Sequence, residues 1–387
     1  MGSADFHNAP TEKRPDLPMP GAATPTGAVP VQPAPAAPPK GIFGRFKAFA
    51  KRHHALLWML HSVYALLLGV MVMLFAAKGF EHARILAATL GGAFLMSVVL
   101  FRIFGHGSEQ KERVASKKYG RIQFFGMTYF LKNMYQGMLF FLLPFYWKSS
   151  SLDSINAWFV VLLGVLALLS TMDLVFDHLL MRHKVLAAIF YAVTLFACAN
   201  LVIPAFFANV PTIVALLVST VLSVFGFWLL HFPLRTFLEK KTWMTIGLVC
   251  VAAVLAVYFA RITIPPVPLY VLHGGVGVEK LDDGRLVYEV SSVHVSKVTN
   301  LYAVTDVALP GGQGDRFKHV WRHKDSGFRR EVENTHERMA GEESVRVESS
   351  IPAGDLAEIG DKKGEWTVDT QTDDGQIVGR LRFTVFN

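Results

Sequence analysis

Residues 212–231 read TIVALLVSTVLSVFGFWLLH, a stretch without a single Asp, Glu, Lys or Arg. The hydrocarbon core of a bilayer needs roughly 20 apolar residues as helix, and only a helix or a closed barrel satisfies every backbone N–H and C=O where water is absent. The stretch therefore predicts a transmembrane helix. Working outward, runs 55–77, 83–103, 122–147, 155–177, 185–208 and 242–260 have the same character as 212–232. After Pro265 no such run occurs. The expected fold class is a polytopic α-helical membrane domain of seven transmembrane helices over 55–260. A soluble all-β sandwich over 265–387 follows it.

Charge divides the chain at the same place. Residues 1–264 hold 23 Lys/Arg against 10 Asp/Glu, whereas 265–387 hold 15 against 20. The overall charge of +8 is thus an average of two unlike parts. The cationic excess lies beside apolar spans, where membrane orientation and anionic lipid explain it better than nucleic acid. No basic stripe with interleaved aromatics occurs in the soluble part, which argues against nucleic-acid binding. Both cysteines, Cys198 and Cys250, fall inside predicted spans, so no disulfide framework and no C-x-x-C metal pair is expected. The first apolar run begins after 54 residues and exceeds a signal-peptide core, so it reads as an uncleaved anchor.

Ten of the 19 prolines lie in residues 1–40, among Ala, Gly and Thr, a composition that cannot bury enough apolar surface to offset its ordering entropy. That segment is expected to be a disordered cytoplasmic tail. Residues 41–54, GIFGRFKAFAKRHH, place Ile42, Phe46 and Phe49 at helical spacing. Arg45, Lys47, Lys51 and Arg52 supply the cation of a basic amphipathic juxtamembrane helix on anionic lipid. With this end in the cytoplasm, alternate connections 40–54, 102–121, 178–184 and 233–241 carry sixteen Lys/Arg, and the opposite ones three. The positive-inside bias then fixes the orientation. An odd number of crossings puts the C-terminal domain on the extracytoplasmic side.

From Pro265 onward the period changes to two. Leu286, Tyr288 and Val290 alternate with polar positions, as do Trp366 and Val368, and Leu381, Phe383 and Val385. Asp282-Asp283-Gly284, Asp325-Ser326-Gly327 and Asp373-Asp374-Gly375 mark turns between such runs. About seven or eight short strands predict a one-domain sandwich. Ile264-Pro265-Pro266 reads as a short stiff connector that holds it near the membrane.

Within the tail, His319-Val320-Trp321-Arg322-His323 is followed by Gly364-Glu365-Trp366-Thr367-Val368-Asp369 and then by Gly379-Arg380-Leu381-Arg382-Phe383-Thr384-Val385. This pattern resembles a bacterial domain-of-unknown-function family, number 2914, found at the C-termini of envelope proteins. In some members it follows a multi-span membrane region. The resemblance implies a bacterial envelope protein and carries no catalytic residues.

Polar groups inside a bilayer are costly and therefore informative. Tyr129, Lys132 and Gln136 share one face of the third run, with Asn133 beside it, and Asp173 and Asp177 lie near the inner end of the fourth. A Lys132–Asp173 pair between antiparallel neighbours is either a polar path or a register-fixing ion pair. His61 in the first run reads as a packing residue. In the tail, His319, Trp321 and His323 point to one face of a strand. With Trp366 they form the candidate binding face; a third metal ligand is missing, so Trp321 reads first as core.

No G-x-S-x-G, H-E-x-x-H or Walker sequence occurs. The sequence thus predicts a non-enzymatic membrane protein without a cofactor. Its sandwich would bind an envelope protein or glycan, in a scaffolding or signalling role. The alternative is a small-molecule transporter or channel using the polar groups of the third and fourth runs.

Overall fold

The computed structural model describes scattered residues between Met59 and Gly92, then 120–172, 184–207, 209–232, 234–282, 284–310, 314–334, 344–357 and 362–387. For 120–132 and 184–188 the backbone alone is described. The N-terminal tail and the basic segment with Arg45, Lys47, Lys51 and Arg52 lie outside these residues, as does His61.

The long helices with described bounds are α1 (Gly120–Lys148), α2 (Ala157–Thr171), α3 (Lys184–Phe206), α4 (Thr212–His231) and α5 (Lys240–Ala260). Among the described residues three stretches are long and apolar enough to cross a membrane: Ile189–Phe206, Thr212–Leu229 and Lys240–Thr263. The seven spans expected from hydropathy are therefore not reached. Of run 55–77 eleven residues are described, all of them helical, and of run 83–103 only residues 89 and 92. Helix α2 stops at 15 residues, about 22 Å at the α-helical rise. Helix α1 has the length, 29 residues, but carries Lys132, Asn133 and Gln136 through its middle. Among the described residues hydropathy does not mark where α2 ends, because an apolar run reports a solvent preference and not a helix boundary.

Helix α1 packs against α2 and α3, α3 against α4, and α4 against α5. Leu139, Leu142, Tyr146, Leu163, Ala197 and Leu201 are fully buried in the principal helical core. In α3, 56% of the apolar window is buried, and in α5 only 6%, which makes α5 the peripheral helix. Hydroxyls on these helices turn back onto their own backbone: Ser219 Oγ donates to Ala215 O at 2.6 Å and Thr220 Oγ1 to Leu216 O at 2.8 Å. Each polar atom is thereby satisfied without water.

The C-terminal part is a two-sheet sandwich. Its strands are β1 (Tyr270–Gly277), β2 (Ser292–His294), β3 (Leu301–Ala308), β4 (Phe317–His323), β5 (Arg329–Glu333), β6 (Ser344–Ile351), β7 (Gly364–Thr372) and β8 (Ile377–Phe386). One sheet runs β1-β3-β6 and the other β2-β8-β7-β4-β5. All pairings are antiparallel except β2 with β8. Trp321, Trp366, Val368, Phe383 and Leu301 fill the space between the sheets, and none is more than 1% exposed. The three turn signals hold: Gly284, Gly327 and Gly375 adopt φ of 83°, 70° and 85°, where a side chain would be strained. The alternating run 286–290 is not a strand of its own. It folds back beside β1 through Val290 N–H to Val276 O and Val287 N–H to Glu279 O.

The expected stiff connector is also absorbed into the packing. Ile264 sits with Phe196 and Leu216, and Val267 joins the core of α1, α2 and α3. The Val267–Pro268 bond is cis. Helices and sandwich consequently belong to one unit over Ala55–Asn387.

Candidate functional site

The polar residues singled out on the third and fourth runs are only partly described. Tyr129 and Lys132 lie on the part of α1 whose side chains are outside the described set, and Asp173 and Asp177 lie outside it altogether. Asn133 is half-buried and Gln136 fully buried. Further along α1, Tyr146 Oη donates to Ala197 O at 3.0 Å, and Asn200 Nδ2 donates to Tyr146 Oη at 3.3 Å. These bonds tie α1 to α3 inside a close-packed core, the usual role of polar groups between membrane helices.

In the sandwich, His319, Trp321, His323 and Trp366 are brought together, but inside the molecule. They are 0%, 0%, 2% and 0% exposed, so they form a core and not a face open to partners. His319 lies between the sheets, with Nδ1 2.7 Å from Ser349 Oγ and Nε2 3.1 Å from Thr305 Oγ1. Trp321 Nε1 donates to the same Ser349 Oγ at 2.9 Å, and Thr370 Oγ1 donates to Thr305 Oγ1 at 3.2 Å. Burial pushes the His319 imidazole down to about 3, so it stays neutral. His323 stacks on Trp366 at 4.7 Å and contacts Ser326 Oγ and Lys363 O through its two nitrogens. Every imidazole nitrogen of the pair is occupied. Among the described residues no group of His, Cys, Asp and Glu could hold a metal.

The densest arrangement of polar groups lies elsewhere, where the sandwich meets the helix ends. Three connections converge there: 149–156 between α1 and α2, 207–211 between α3 and α4, and 261–268 after α5. Helix α4 begins after Pro211 with no capping side chain of its own. The missing acceptor comes from Asp315, between β3 and β4. Both its carboxylate oxygens lie 3.1 Å from Thr212 N, and Oδ1 accepts from Thr212 Oγ1 at 2.8 Å. An anion at a helix N-terminus also faces the positive end of the dipole. Burial nevertheless raises the Asp315 carboxyl to about 6; the bonds from Thr212 oppose that shift, and Asp374 and Asp373 add to it. The neighbouring Gly314 has no alternative, since a Cβ there would lie 2.4 Å from Asn209 O.

The β7–β8 hairpin supplies the other contacts. Arg261 Nε donates to Asp374 O at 2.6 Å, Gln376 Nε2 to Ile264 O at 3.3 Å, and Asn156 Nδ2 to Ile377 O at 2.8 Å. Arg380 spans the junction. Its Nη1 donates to Asp153 O at 2.7 Å, while Nε and Nη2 reach the two oxygens of Asp369 at 2.5 and 3.0 Å. Asp369 is fully buried, and Arg322 pairs with it from the other side. Arg382 adds a 3.4 Å ion pair to Asp153. One hairpin and one loop of the sandwich thus hold all three helix connections.

Sequence reasoning missed this seam. The one local signal was Pro211 ahead of an apolar helix without Ser, Thr, Asp or Asn at the cap. Nothing local names Asp315, 103 positions later, as the substitute.

Residues 40–299 match the model of a family of unknown function (DUF5924). This is not the family number 2914 expected from the tail motifs, and like that one it is uncharacterised. No curated protein matches the chain. Among solved structures, Pseudomonas fluorescens alkylpurine DNA glycosylase AlkC bound to DNA containing an abasic site analog shares 12% identity, with 86% of this chain and 99% of that one covered. Its TM-score is 0.23, too low to carry any argument about fold or activity.

Proposed function

The chain belongs to the family of unknown function DUF5924, which brings no activity with it, and we propose that it is a non-enzymatic inner-membrane protein with a periplasmic sandwich. The sandwich binds an envelope component, a protein or glycan, and passes its bound state to the helices. The N-terminus is cytoplasmic, and the chain crosses the bilayer an odd number of times.

The observation that carries this reading is the seam. A domain tethered only for display needs no more than a linker, whereas here Asp315, Asp374, Gln376, Ile377 and Arg380 fasten the sandwich to three helix connections. Those connections hold Arg261 as their one Lys or Arg, whereas the α4–α5 connection 233–241 at the far end carries Arg235, Lys240 and Lys241, in keeping with the positive-inside bias. Aromatic residues mark both ends, with Trp147, Trp158, Tyr258 and Phe259 exposed near the sandwich and Phe232 and Trp243 at the opposite end. Such belts sit at membrane interfaces.

Two experiments test the reading. Alkaline phosphatase fused at Asn387 should be active and green fluorescent protein dark; fluorescence without phosphatase activity refutes the orientation. Photo-crosslinkers at exposed sandwich positions, Tyr288 and Leu272 among them, should capture a recurrent envelope component in intact cells. Adducts with none of these positions would remove the binding role.

A further inference from the structure

The end of the helical bundle away from the sandwich carries a surface that the proposed function does not use. Between α4 and α5 the chain makes a 3₁₀ turn, Leu234–Leu238. Aromatic packing fixes this elbow: Trp243 stacks on Phe225 of α4 at 6.5 Å and meets Phe237 of the turn edge-on at 6.0 Å. Trp243 Nε1 also donates to Phe237 O at 2.8 Å. On this fixed frame the exposed side chains are of two kinds. Leu238 is 86% exposed, Met244 75% and Trp243 52%. Arg235, Lys240 and Lys241 are exposed among them, and Glu239 is the one acid of the elbow.

Neither water nor hydrocarbon alone suits that mixture. Water leaves Leu238 and Met244 costly, and acyl chains leave three cations costly. A leaflet boundary satisfies both, with the apolar tips among the chains, the indole at headgroup level and the cations against phosphate. We propose that the elbow Phe232–Met244 is a docking site for anionic phospholipid in the leaflet facing away from the sandwich. Its recognition elements are Arg235, Lys240 and Lys241 for the phosphate, with Leu238 and Met244 for the first acyl carbons. A net charge of +2 across 235–241 complements the headgroup, and the aromatic frame fixes the backbone that carries those charges, which lowers the ordering cost on binding. The residues of the elbow are distinct in sequence from the basic segment 41–54, and the proposal does not depend on what the sandwich binds.

Native mass spectrometry of the full chain with phosphatidylglycerol and phosphatidylcholine tests it, in a background where Arg45, Lys47, Lys51 and Arg52 are Gln. The protein should retain phosphatidylglycerol over phosphatidylcholine. Each cation at a membrane surface contributes about fivefold, so R235Q/K240Q/K241Q should weaken phosphatidylglycerol retention by roughly a hundredfold and leave phosphatidylcholine unchanged. K297Q/K324Q/R329Q, on the sandwich, should change neither lipid. Leu238→Asn, with all charges intact, should also weaken retention several-fold. Equal retention by the elbow variant overturns the proposal, as does displacement of the lipid by millimolar inorganic phosphate.

Discussion

Replacing Asp315 probes the seam most directly, because one carboxylate both caps α4 and bears the cost of burial. Its carboxyl titrates at about 6 in the folded chain, against 3.8 for the free side chain. A group whose folded value is raised contributes stability that is fully present below the unfolded value and lost as pH rises through the folded one. The wild-type seam should therefore tighten on acidification. Between pH 7.5 and pH 5 these two values give about 1.4 kcal/mol, a tenfold change in the opening equilibrium. Asp315→Asn keeps an oxygen for the Thr212 N–H and removes the charge, so its seam should be independent of pH through this window. Asp315→Ala removes the acceptor as well, which leaves a helix N-terminus uncapped at a cost of about 1–2 kcal/mol. Hydrogen exchange of the first turn of α4, corrected for intrinsic rates, reads local opening without requiring two-state unfolding. The wild-type minus Asp315→Asn difference cancels other titrating groups, Asp374 among them. Protection in Asp315→Ala equal to wild type, or the same pH slope in wild type and Asp315→Asn, would refute the reasoning.

The remaining predictions concern buried polar partners. Arg380→Ala leaves Asp369 fully buried with Arg322 as its remaining cation, and should cost about 2–4 kcal/mol, less in Asp369→Asn/Arg380→Ala than the sum of the single changes. Thermal aggregation of the detergent-solubilised chain measures it, and simple additivity would show that the pair is not coupled. Ser349→Ala strands the Trp321 indole N–H and one nitrogen of His319 between the sheets, which should lower stability by about 1–3 kcal/mol; the melting midpoint followed by tryptophan fluorescence checks this. Burial holds His319 neutral in the folded chain, while the unfolded imidazole protonates near 6.5. The same midpoint should therefore fall between pH 8 and pH 5 by about 2 kcal/mol of stability more in wild type than in His319→Gln, and equal pH dependence of the two would refute this.

The residues of the proposed binding face show how far local pattern reaches. Period-two alternation correctly put His319, Trp321 and His323 on one side of a strand, because successive side chains must point to opposite faces. It does not say whether that side meets water or a second sheet. The second sheet, β1-β3-β6, decides, and Thr305 and Ser349 come from it. The span count fails for a related reason. Among the described residues three of the apolar runs are long enough to cross a membrane, yet α2 ends after 15 residues, a boundary that composition does not mark.

By itself, the sequence determined that apolar helices come first and a strand-rich part follows Pro265, and it placed the turns at Gly284, Gly327 and Gly375. Those features depend on period, turn chemistry and solvent preference, which act within a few residues of each other. Only the tertiary structure decided that the two parts are bolted together, with Asp315 serving as the cap that Thr212 lacks and Arg380 joining Asp369 to Asp153. A helix terminus demands an acceptor wherever the chain can bring one. The demand is local, but the residue that meets it is chosen by the fold.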